Sequence, residues 1–220
     1  MWKRTSRIAV SCGLGVGWTT AAAAQAPDPA DLLRRAEAAA TAVTSLEARF
    51  RQRLVVPALE RQQEGRGVIY QKKPDLFLMK FEEPAGDLVL ADGTYFWMYT
   101  PSAHERQALR TPMERSADGP SLDRQFVIGA SRRYVPTYVG ADTLSGRPAH
   151  VLALVPKFDT PVTLVRVWID EADFLVRRFE IAEANGTRRT VELTDLRVNV
   201  PIPDSVFRWT PPPGVRVVDR

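Results

Sequence analysis

The chain has 220 residues, a length that fits one domain or one domain with a short appendage. It is 45% hydrophobic and 25% charged, which is typical of a folded globular protein and excludes a disordered chain. Residues 1–24 contribute three of its four net positive charges, so the rest carries only +1, and composition gives no support for nucleic-acid binding.

The first 24 residues are typical of an export signal. They begin with three basic residues, continue with a mostly apolar stretch over 8–21, and end with Ala22–Ala24 before Gln25. A membrane anchor is the alternative, but the stretch is short and rich in Gly, Ser and Thr. We therefore predict a signal peptide over 1–24 and one exported domain over 25–220.

The cysteine content is consistent with a domain that is stabilised by its hydrophobic core and not by disulfides. Cys12 is the only cysteine, and it lies inside the predicted signal. A lipid-modified Cys12 is a less favoured alternative, because few apolar residues precede it. The mature chain is therefore predicted to have no disulfide, no thiolate nucleophile and no thiolate metal site.

An amphipathic helix is predicted near the start of the mature chain. Asp28 and Pro29 have the residue types of a helix N-cap and first helical position. Apolar residues then recur with helical period from Leu32 to Val43, and many are alanines. This small-residue face would lie close to a sheet, either packed in place or able to slide over it.

The rest of the chain has the pattern of antiparallel strands. Residues 46–54 alternate as a strand, 55–64 are predicted as a connection, and Gly67 to Pro101 contains four apolar runs divided by turns. Further strands are predicted at 107–109, 135–139, 149–155, 162–169, 175–181 and 190–198, with a hairpin turn at Asn185-Gly186 and an edge element at 206–215.

Residues 101–133 interrupt this pattern and include a predicted short helix over 121–128. Such an insertion serves either as a lid or as a fixed cover. About ten strands in hairpin order form a sheet that tends to curl, and the two helical pieces are available to fill its concave face.

The sequence shows no catalytic chemistry. His104 and His150 are the only histidines, and neither has metal-ligand spacing around it. No nucleophile elbow, phosphate-binding loop or dinucleotide-binding glycine motif occurs. We therefore predict a protein that is not an enzyme and has no metal and no cofactor.

Four segments carry a family resemblance, in order along the chain. They are Ala48-Arg49-Phe50-Arg51-Gln52, Gly67 to Phe77 with its Lys73-Pro74, Asp92-Gly93 to Pro101 with Trp97 and Tyr99, and Phe207 to Val215 with its Pro-Pro-x-Gly-Val ending. Together they resemble the LolA family, the periplasmic carriers of outer-membrane lipoproteins.

The resemblance implies a fold class that is mainly β with helices: an unclosed (half) antiparallel β-barrel covered by an N-terminal helix and a helical lid insertion. It implies a periplasmic monomer whose hydrophobic cavity takes the acyl chains of lipoproteins. It also implies receipt of acylated lipoproteins from an inner-membrane lipoprotein-releasing ABC transporter, and delivery to an outer-membrane acceptor.

The predicted lipid-binding residues come from strand alternation and the resemblance together. Phe77, Met79 and Phe81 share one face of a strand. The wider predicted set adds Phe50, Val68, Tyr70, Phe96, Met98 and Phe126. For all nine, plain core packing is the competing interpretation.

Lys73 is the predicted lid-gating residue. The family often has an arginine here that hydrogen-bonds to the lid, so the resemblance implies a similar role for Lys73. Lysine lacks the planar fork of arginine, so its hold on the lid should be weaker. A solvated turn lysine is the alternative.

Two other functions remain open at this point. One is a periplasmic lipid-binding sensor of the RseB type that binds an anti-sigma factor, although proteins of that family carry a second C-terminal domain. The other is a structural or envelope-assembly module whose core is simply filled.

Overall fold

A computed structural model describes residues 26–113 and 126–219. The predicted signal peptide with Cys12, and most of the predicted insertion helix over 121–128, lie outside the described residues. Helix α1 is Pro29–Ala42, and the Asp28 side chain caps it by accepting a hydrogen bond from the Ala30 N–H at 3.0 Å. No helix within 26–113 or 126–219 is long and apolar enough to cross a membrane.

Twelve strands form a single sheet in the described part of the chain. The strands are β1 Ser45–Val56, β2 Arg61–Lys72, β3 Leu76–Glu83, β4 Leu88–Asp92, β5 Tyr95–Tyr99, β6 Gln107–Pro112, β7 Tyr134–Leu144, β8 Arg147–Pro156, β9 Val162–Asp170, β10 Val176–Glu183, β11 Arg188–Val198 and β12 Arg216–Asp219. Their spatial order is β12-β6-β5-β4-β3-β2-β1-β11-β10-β9-β8-β7, so β12 and β7 are free ends and the sheet does not close. The predicted unclosed half-barrel is confirmed.

Three short helical elements complete the described structure. Helix α2 is Ala130–Arg133, and 3-10 turns cover Pro57–Leu59 and Asp204–Phe207. All strand pairs are antiparallel except β12, which lies parallel to β6. The Asn185-Gly186 turn joins β10 to β11 as predicted.

Two sequence predictions about element bounds are wrong. The segment 55–64 is mostly strand, because β1 and β2 pair continuously out to Val56 opposite Arg61. This pairing includes polar residues that have a low intrinsic preference for strands. The terminal edge strand lies at 216–219 and not at 206–215. Prolines at 211–213 lack the N–H donors that a ladder needs.

The two faces of the sheet carry separate apolar clusters. The face that α1 covers, called here the lid face, holds the larger cluster, which includes Phe50, Phe77 and Phe179. The opposite face, called the outer face, packs Leu90 and Trp97 and their neighbours against the chain segment 200–217. Both sides of β3 are therefore buried, which explains its nearly continuous apolar sequence.

Candidate functional site

The lid face contains a small apolar cavity beneath the C-terminal half of α1. Its volume is about 40 Å³, which is room for two or three water molecules. None of the lining residues is titratable; they are Ala40, Val43, Leu46, Ile69, Gln71, Phe77, Val127, Leu175, Val176, Phe179, Leu193 and Leu196. The site is suited to an apolar guest, and it offers no acid, base or nucleophile.

Two pairs of aromatic rings lie on the lid face. Phe50 and Phe81 meet edge to face with ring centroids 4.9 Å apart. The Phe81 ring lies against Gly65, where an added Cβ would come within 2.9 Å of the ring atom Cε1. Phe126 and Phe179 form a second pair at 6.3 Å. The apolar surface thus extends from β3 across to β10.

Helix α1 lies on this surface through small and branched residues. Leu32, Leu33, Ala36 and Ala40 are its buried side chains. Alanines allow a close approach but contribute little area, and burial stabilisation scales with the apolar area removed from water. The contact between α1 and the sheet is therefore close but only moderately stabilising.

Lys73 holds the C-terminal end of α1. Its Nζ donates hydrogen bonds to the carbonyl oxygens of Ala40 at 3.2 Å and Thr41 at 2.6 Å, and its backbone N–H donates to Thr44 at 2.9 Å. The last carbonyls of a helix lack partners within the helix and carry partial negative charge, so an ammonium group is well placed there.

A second polar contact joins α1 to α2. Glu37 accepts from the backbone N–H of Ser131 at 2.7 Å through Oε1, and from the Ser131 hydroxyl at 3.1 Å through Oε2. The Ser131 carbonyl in turn accepts from Lys157 Nζ at 2.9 Å. The two helices are thereby connected to each other and to the end of β8.

Seven of the nine predicted lipid-binding residues lie on the lid face. Phe50, Phe77, Met79, Phe81 and Phe126 belong to its apolar cluster. Phe96 pairs with the cluster residue Ala91, and Met98 pairs with Val89, which packs on the cluster; directly paired residues share a face. Met98 is 38% exposed, so it is the most accessible of the seven.

Val68 and Tyr70 lie on the outer face, so the prediction that they line the lid-face cavity is wrong. The turn 73–75 sets Gln71 opposite Phe77 and Tyr70 opposite Leu78. Odd-numbered residues of β2 therefore face α1, and Ile69 takes the place that was predicted for its two neighbours.

Sequence reasoning missed the lining residues of the C-terminal strands. Val176, Phe179 and Leu193 form one wall of the cavity. The alternation of Phe179 and Ile181 with Arg178 and Glu180 was visible in the sequence. Which face of these strands meets α1 follows only from the pairing of β11 with β1, which joins the two halves of the sheet.

Electrostatic groups lie at the margins of the lid face. Tyr134 belongs to the lid-face cluster, and burial raises its pKa, an increase that nearby Arg133 partly offsets. Away from this face, burial alone would raise the pKa of Asp170. Hydrogen bonds from Arg147, the Ala172 N–H and Arg177 outweigh burial and hold the pKa well below its ordinary value.

Comparison with known proteins gives a family match. The family model for the outer membrane lipoprotein carrier protein LolA matches residues 41–210. An outer-membrane lipoprotein carrier protein of Photobacterium profundum is 26% identical over 181 residues, which cover 81% of this chain and 84% of that protein. An uncharacterized protein of Methanocaldococcus jannaschii is 24% identical over 67% of this chain, but the chain spans only 41% of that protein's length.

Solved structures show the same fold at low identity. An uncharacterized conserved protein from Thermus thermophilus is 15% identical with a TM-score of 0.55, over 86% of this chain and 98% of that one. In the MucA/MucB complex of Pseudomonas aeruginosa, the matching chain is 16% identical with a TM-score of 0.51, over 84% of this chain and 62% of that one.

Proposed function

Because this chain belongs to the LolA family, the outer membrane lipoprotein carrier proteins, we propose that it is a periplasmic carrier of acylated lipoproteins. The acyl chains would occupy the lid face after α1 moves aside. In this proposal residues 1–24 are removed on export, residues 25–220 act as one monomeric carrier domain, and the protein has no enzymatic activity.

The observation that carries the proposal is the apolar lid face, which is covered by a helix whose buried side chains are two leucines and two alanines. The cavity of about 40 Å³ is far too small for a long acyl chain while α1 lies on the sheet. Guest binding therefore requires α1 to leave the sheet, and the guest must replace the contacts that α1 gives up.

Orders of magnitude favour such an exchange. Burying an acyl chain of roughly fifteen methylene groups contributes about 12 kcal/mol, at ~0.8 kcal/mol for each group. Helix α1 buries two leucines, Leu32 and Leu33, each worth about 1.5–3 kcal/mol, together with small alanines. One acyl chain thus outweighs the apolar contacts of α1, and a lipoprotein has more than one chain.

Lys73 is the proposed gate. Its two hydrogen bonds to the end of α1 exist only while the helix lies on the sheet. Lysine makes them as a single point donor, so the closed state is held less rigidly than a bidentate arginine would hold it. The cargo would arrive from an inner-membrane lipoprotein-releasing ABC transporter and leave to an outer-membrane acceptor.

A crosslinking experiment tests the proposed cargo site. A photoreactive residue replaces Phe96 or Met98 on the lid face, and in matched controls it replaces Val68 or Tyr70 on the outer face. The purified protein is mixed with a triacylated lipopeptide or with the same peptide without acyl chains. We expect crosslinks only from the lid face and only to the acylated form. Equal labelling of both faces would contradict the proposal.

A sensor of the RseB type is the second candidate, because the MucB fold is also similar. The two functions differ in the ligand that acts at the lid face. A carrier keeps a triacylated lipopeptide in solution through gel filtration. A sensor binds the periplasmic part of an anti-sigma factor without acyl chains, and such binding with no lipopeptide retention would favour the second candidate.

A further inference from the structure

The two most exposed large apolar side chains of the described residues lie at the same end of the sheet. Leu59 is 70% exposed in the turn between β1 and β2, and Phe158 is 72% exposed in the loop between β8 and β9. We call this end, formed by residues 57–60, 157–161 and 184–187, the tip end.

The three loops of the tip end are direct neighbours. The Ala184 N–H donates to the Pro161 carbonyl at 2.9 Å, which joins the β10–β11 turn to the loop after β8. On its other side, a Cβ on Gly186 would lie 3.5 Å from Pro57 Cγ. Strands β1, β11, β10 and β9 are adjacent, so these loops span roughly 15 Å.

The β1–β2 turn is unusually apolar for a hairpin tip. Residues 54–59 read Leu-Val-Val-Pro-Ala-Leu, and the last three are exposed. Exposed turns are normally built from Gly, Asn, Asp and Ser. This run makes no contribution to either apolar cluster. Its residues therefore contribute to the surface of the tip end and not to the core.

Arginines flank this apolar tip. Arg188 is opposite Val55 and Arg189 is opposite Leu54 in the β1–β11 ladder, while Arg61 is opposite Val56. Residues 53–61 and 183–189 together carry four basic and two acidic side chains. Within the described ranges, Arg61, Arg188 and Arg189 form no ion pair, so their charges remain available to an external anion.

We propose that the tip end is a peripheral docking site for an anionic lipid bilayer. Leu59 and Phe158 would enter the headgroup region while the arginines contact phospholipid phosphates. Leu59 and Phe158 lie on separate loops, and a fluid surface accepts separate insertions more readily than a protein surface does. Two side chains give weak, reversible binding, as a shuttle between membranes requires.

Docking at this end would leave the cavity accessible. Leu46 lines the cavity near the start of β1, and the tip lies beyond Val56 at its other end. With a rise of about 3.3 Å for each residue, the two are roughly 30 Å apart. This inference rests on the proposed carriage between membranes, since it gives the carrier a way to approach them.

Vesicle cosedimentation tests the proposal. The purified protein is mixed with vesicles of phosphatidylglycerol and phosphatidylethanolamine, or of phosphatidylcholine alone. We expect binding to the anionic vesicles that weakens as salt is added. The double variant Leu59→Ser/Phe158→Ser should bind at least about threefold less, and Arg188→Glu/Arg189→Glu at least about thirtyfold less.

Val139→Ser is the matched control, because Val139 is 55% exposed on edge strand β7 away from the tip end. It should bind vesicles as the parent protein does. Equal binding by all variants, or no binding by the parent protein, would overturn the docking site. If the tip variants bind vesicles normally but no longer bind a purified membrane protein, the surface is a protein interface and the proposal is wrong.

Lipopeptide retention in solution, measured on the same variants, separates this inference from the proposed function. If the parent protein retains lipopeptide but does not bind vesicles, the proposed docking site is wrong and the carrier function stands. If the parent protein binds vesicles but retains no lipopeptide, the proposed carrier function is wrong and the docking site stands. Circular dichroism spectra of all variants should match, since the exchanged side chains are exposed.

Discussion

Lys72 and Lys73 are neighbours in the chain whose ammonium groups bind on opposite sides of the sheet. Lys73 Nζ donates to the last turn of α1 on the lid face. Lys72 Nζ donates to the Ile202 carbonyl at 3.1 Å and to Asp204 at 2.6 Å on the outer face. Lys72 is the last residue of β2 and Lys73 is the first residue of the turn 73–75, so the pair provides a lid lysine and a control lysine at adjacent positions.

We expect Lys73→Met to speed the opening of α1. The change removes two charge-assisted hydrogen bonds to the carbonyls of Ala40 and Thr41, and such bonds contribute about 1.5–3 kcal/mol. The measurement is the rate at which an environment-sensitive apolar dye binds the lid face, followed by stopped-flow fluorescence. We expect the rate to rise about tenfold, since 1.4 kcal/mol corresponds to a factor of ten.

Lys72→Met is the control for this experiment. It removes an equal charge from the adjacent position, and among the described residues the contacts that it breaks are those with Ile202 and Asp204. Its dye-binding rate should stay close to that of the parent protein. Equal acceleration by both variants would show that net charge, and not the hold on α1, controls access to the lid face.

The contact between Glu37 and Ser131 predicts that α1 and α2 move together. Glu37→Ala removes both hydrogen bonds to Ser131, so α1 should open without α2. We expect backbone amides of α1 to exchange hydrogen faster in this variant, by about tenfold, while the amides of β1 remain protected. Hydrogen exchange with mass spectrometry measures both in one experiment.

Arg34→Ala is the matched change on α1 for this prediction. Arg34 is exposed, and its one ion pair among the described residues is with Asp31 of the same helix. Exposed pairs at this spacing contribute little, so exchange in α1 should stay nearly unchanged. If Arg34→Ala accelerates exchange as much as Glu37→Ala does, the link to α2 plays no part.

The face of the sheet on which each strand residue lies was predictable only in part. Alternation correctly set Phe77 and Met79 apart from Leu78, but it does not say which faces of two strands coincide. The three-residue turn 73–75 decides which faces coincide, because it pairs Lys72 with Leu76. Odd-numbered residues of β2 therefore share a face with odd-numbered residues of β3. Applied to the sequence, this rule selects Ile69 and excludes Val68 and Tyr70.

Long-range pairing was the part that the sequence did not reveal. β1 lies beside β11, almost 150 residues away, and this contact brings Phe179 and Leu193 to the same cavity as Ile69. Local patterns carry no information about such pairs. The same holds for Glu37, whose helical position predicts an exposed acid and whose partner comes from a distant insertion.

We expect Phe179→Ala to destabilise the protein and to enlarge the site. Phe179 is 2% exposed and lines the cavity, and a buried Phe→Ala change costs about 3–5 kcal/mol. Urea unfolding measures the loss of free energy of unfolding. Because the space left by the ring is apolar, the variant should also bind more apolar dye in the absence of urea.

Phe158→Ala provides the comparison, since the same ring is removed from a position that is 72% exposed. Its free energy of unfolding should change by less than about 0.5 kcal/mol. A loss of equal size in both variants would mean that Phe179 is not in a packed interior. A stable Phe179→Ala variant would mean that the lid face is already open in solution.

Asp170 is expected to make stability depend on acid pH. Its side chain is 2% exposed and accepts hydrogen bonds from Arg147 and Arg177. These bonds hold its pKa below the unfolded-state value of about 3.9, so its contribution is complete above that value and is lost as pH falls toward the folded-state pKa. Asp170→Asn should cost roughly 3 kcal/mol at neutral pH, because it removes the buried carboxylate that Arg147 and Arg177 share and leaves Arg177 with Asp173 as its remaining partner.

The contribution of Asp170 to stability should differ between two pH ranges. Between about pH 5 and pH 7, the difference in free energy of unfolding between the parent protein and Asp170→Asn should be constant, since Asp170 is ionised in both the folded and unfolded parent. Below about pH 4 the difference should shrink, because the unfolded parent takes up a proton that the folded parent still refuses. Urea unfolding across this pH range measures the difference.

Asp204→Asn removes an exposed carboxylate paired with Lys72 and should leave the free energy of unfolding almost unchanged. A difference for Asp170→Asn that grows toward acid pH would mean that burial, and not the two arginines, determines the pKa of Asp170.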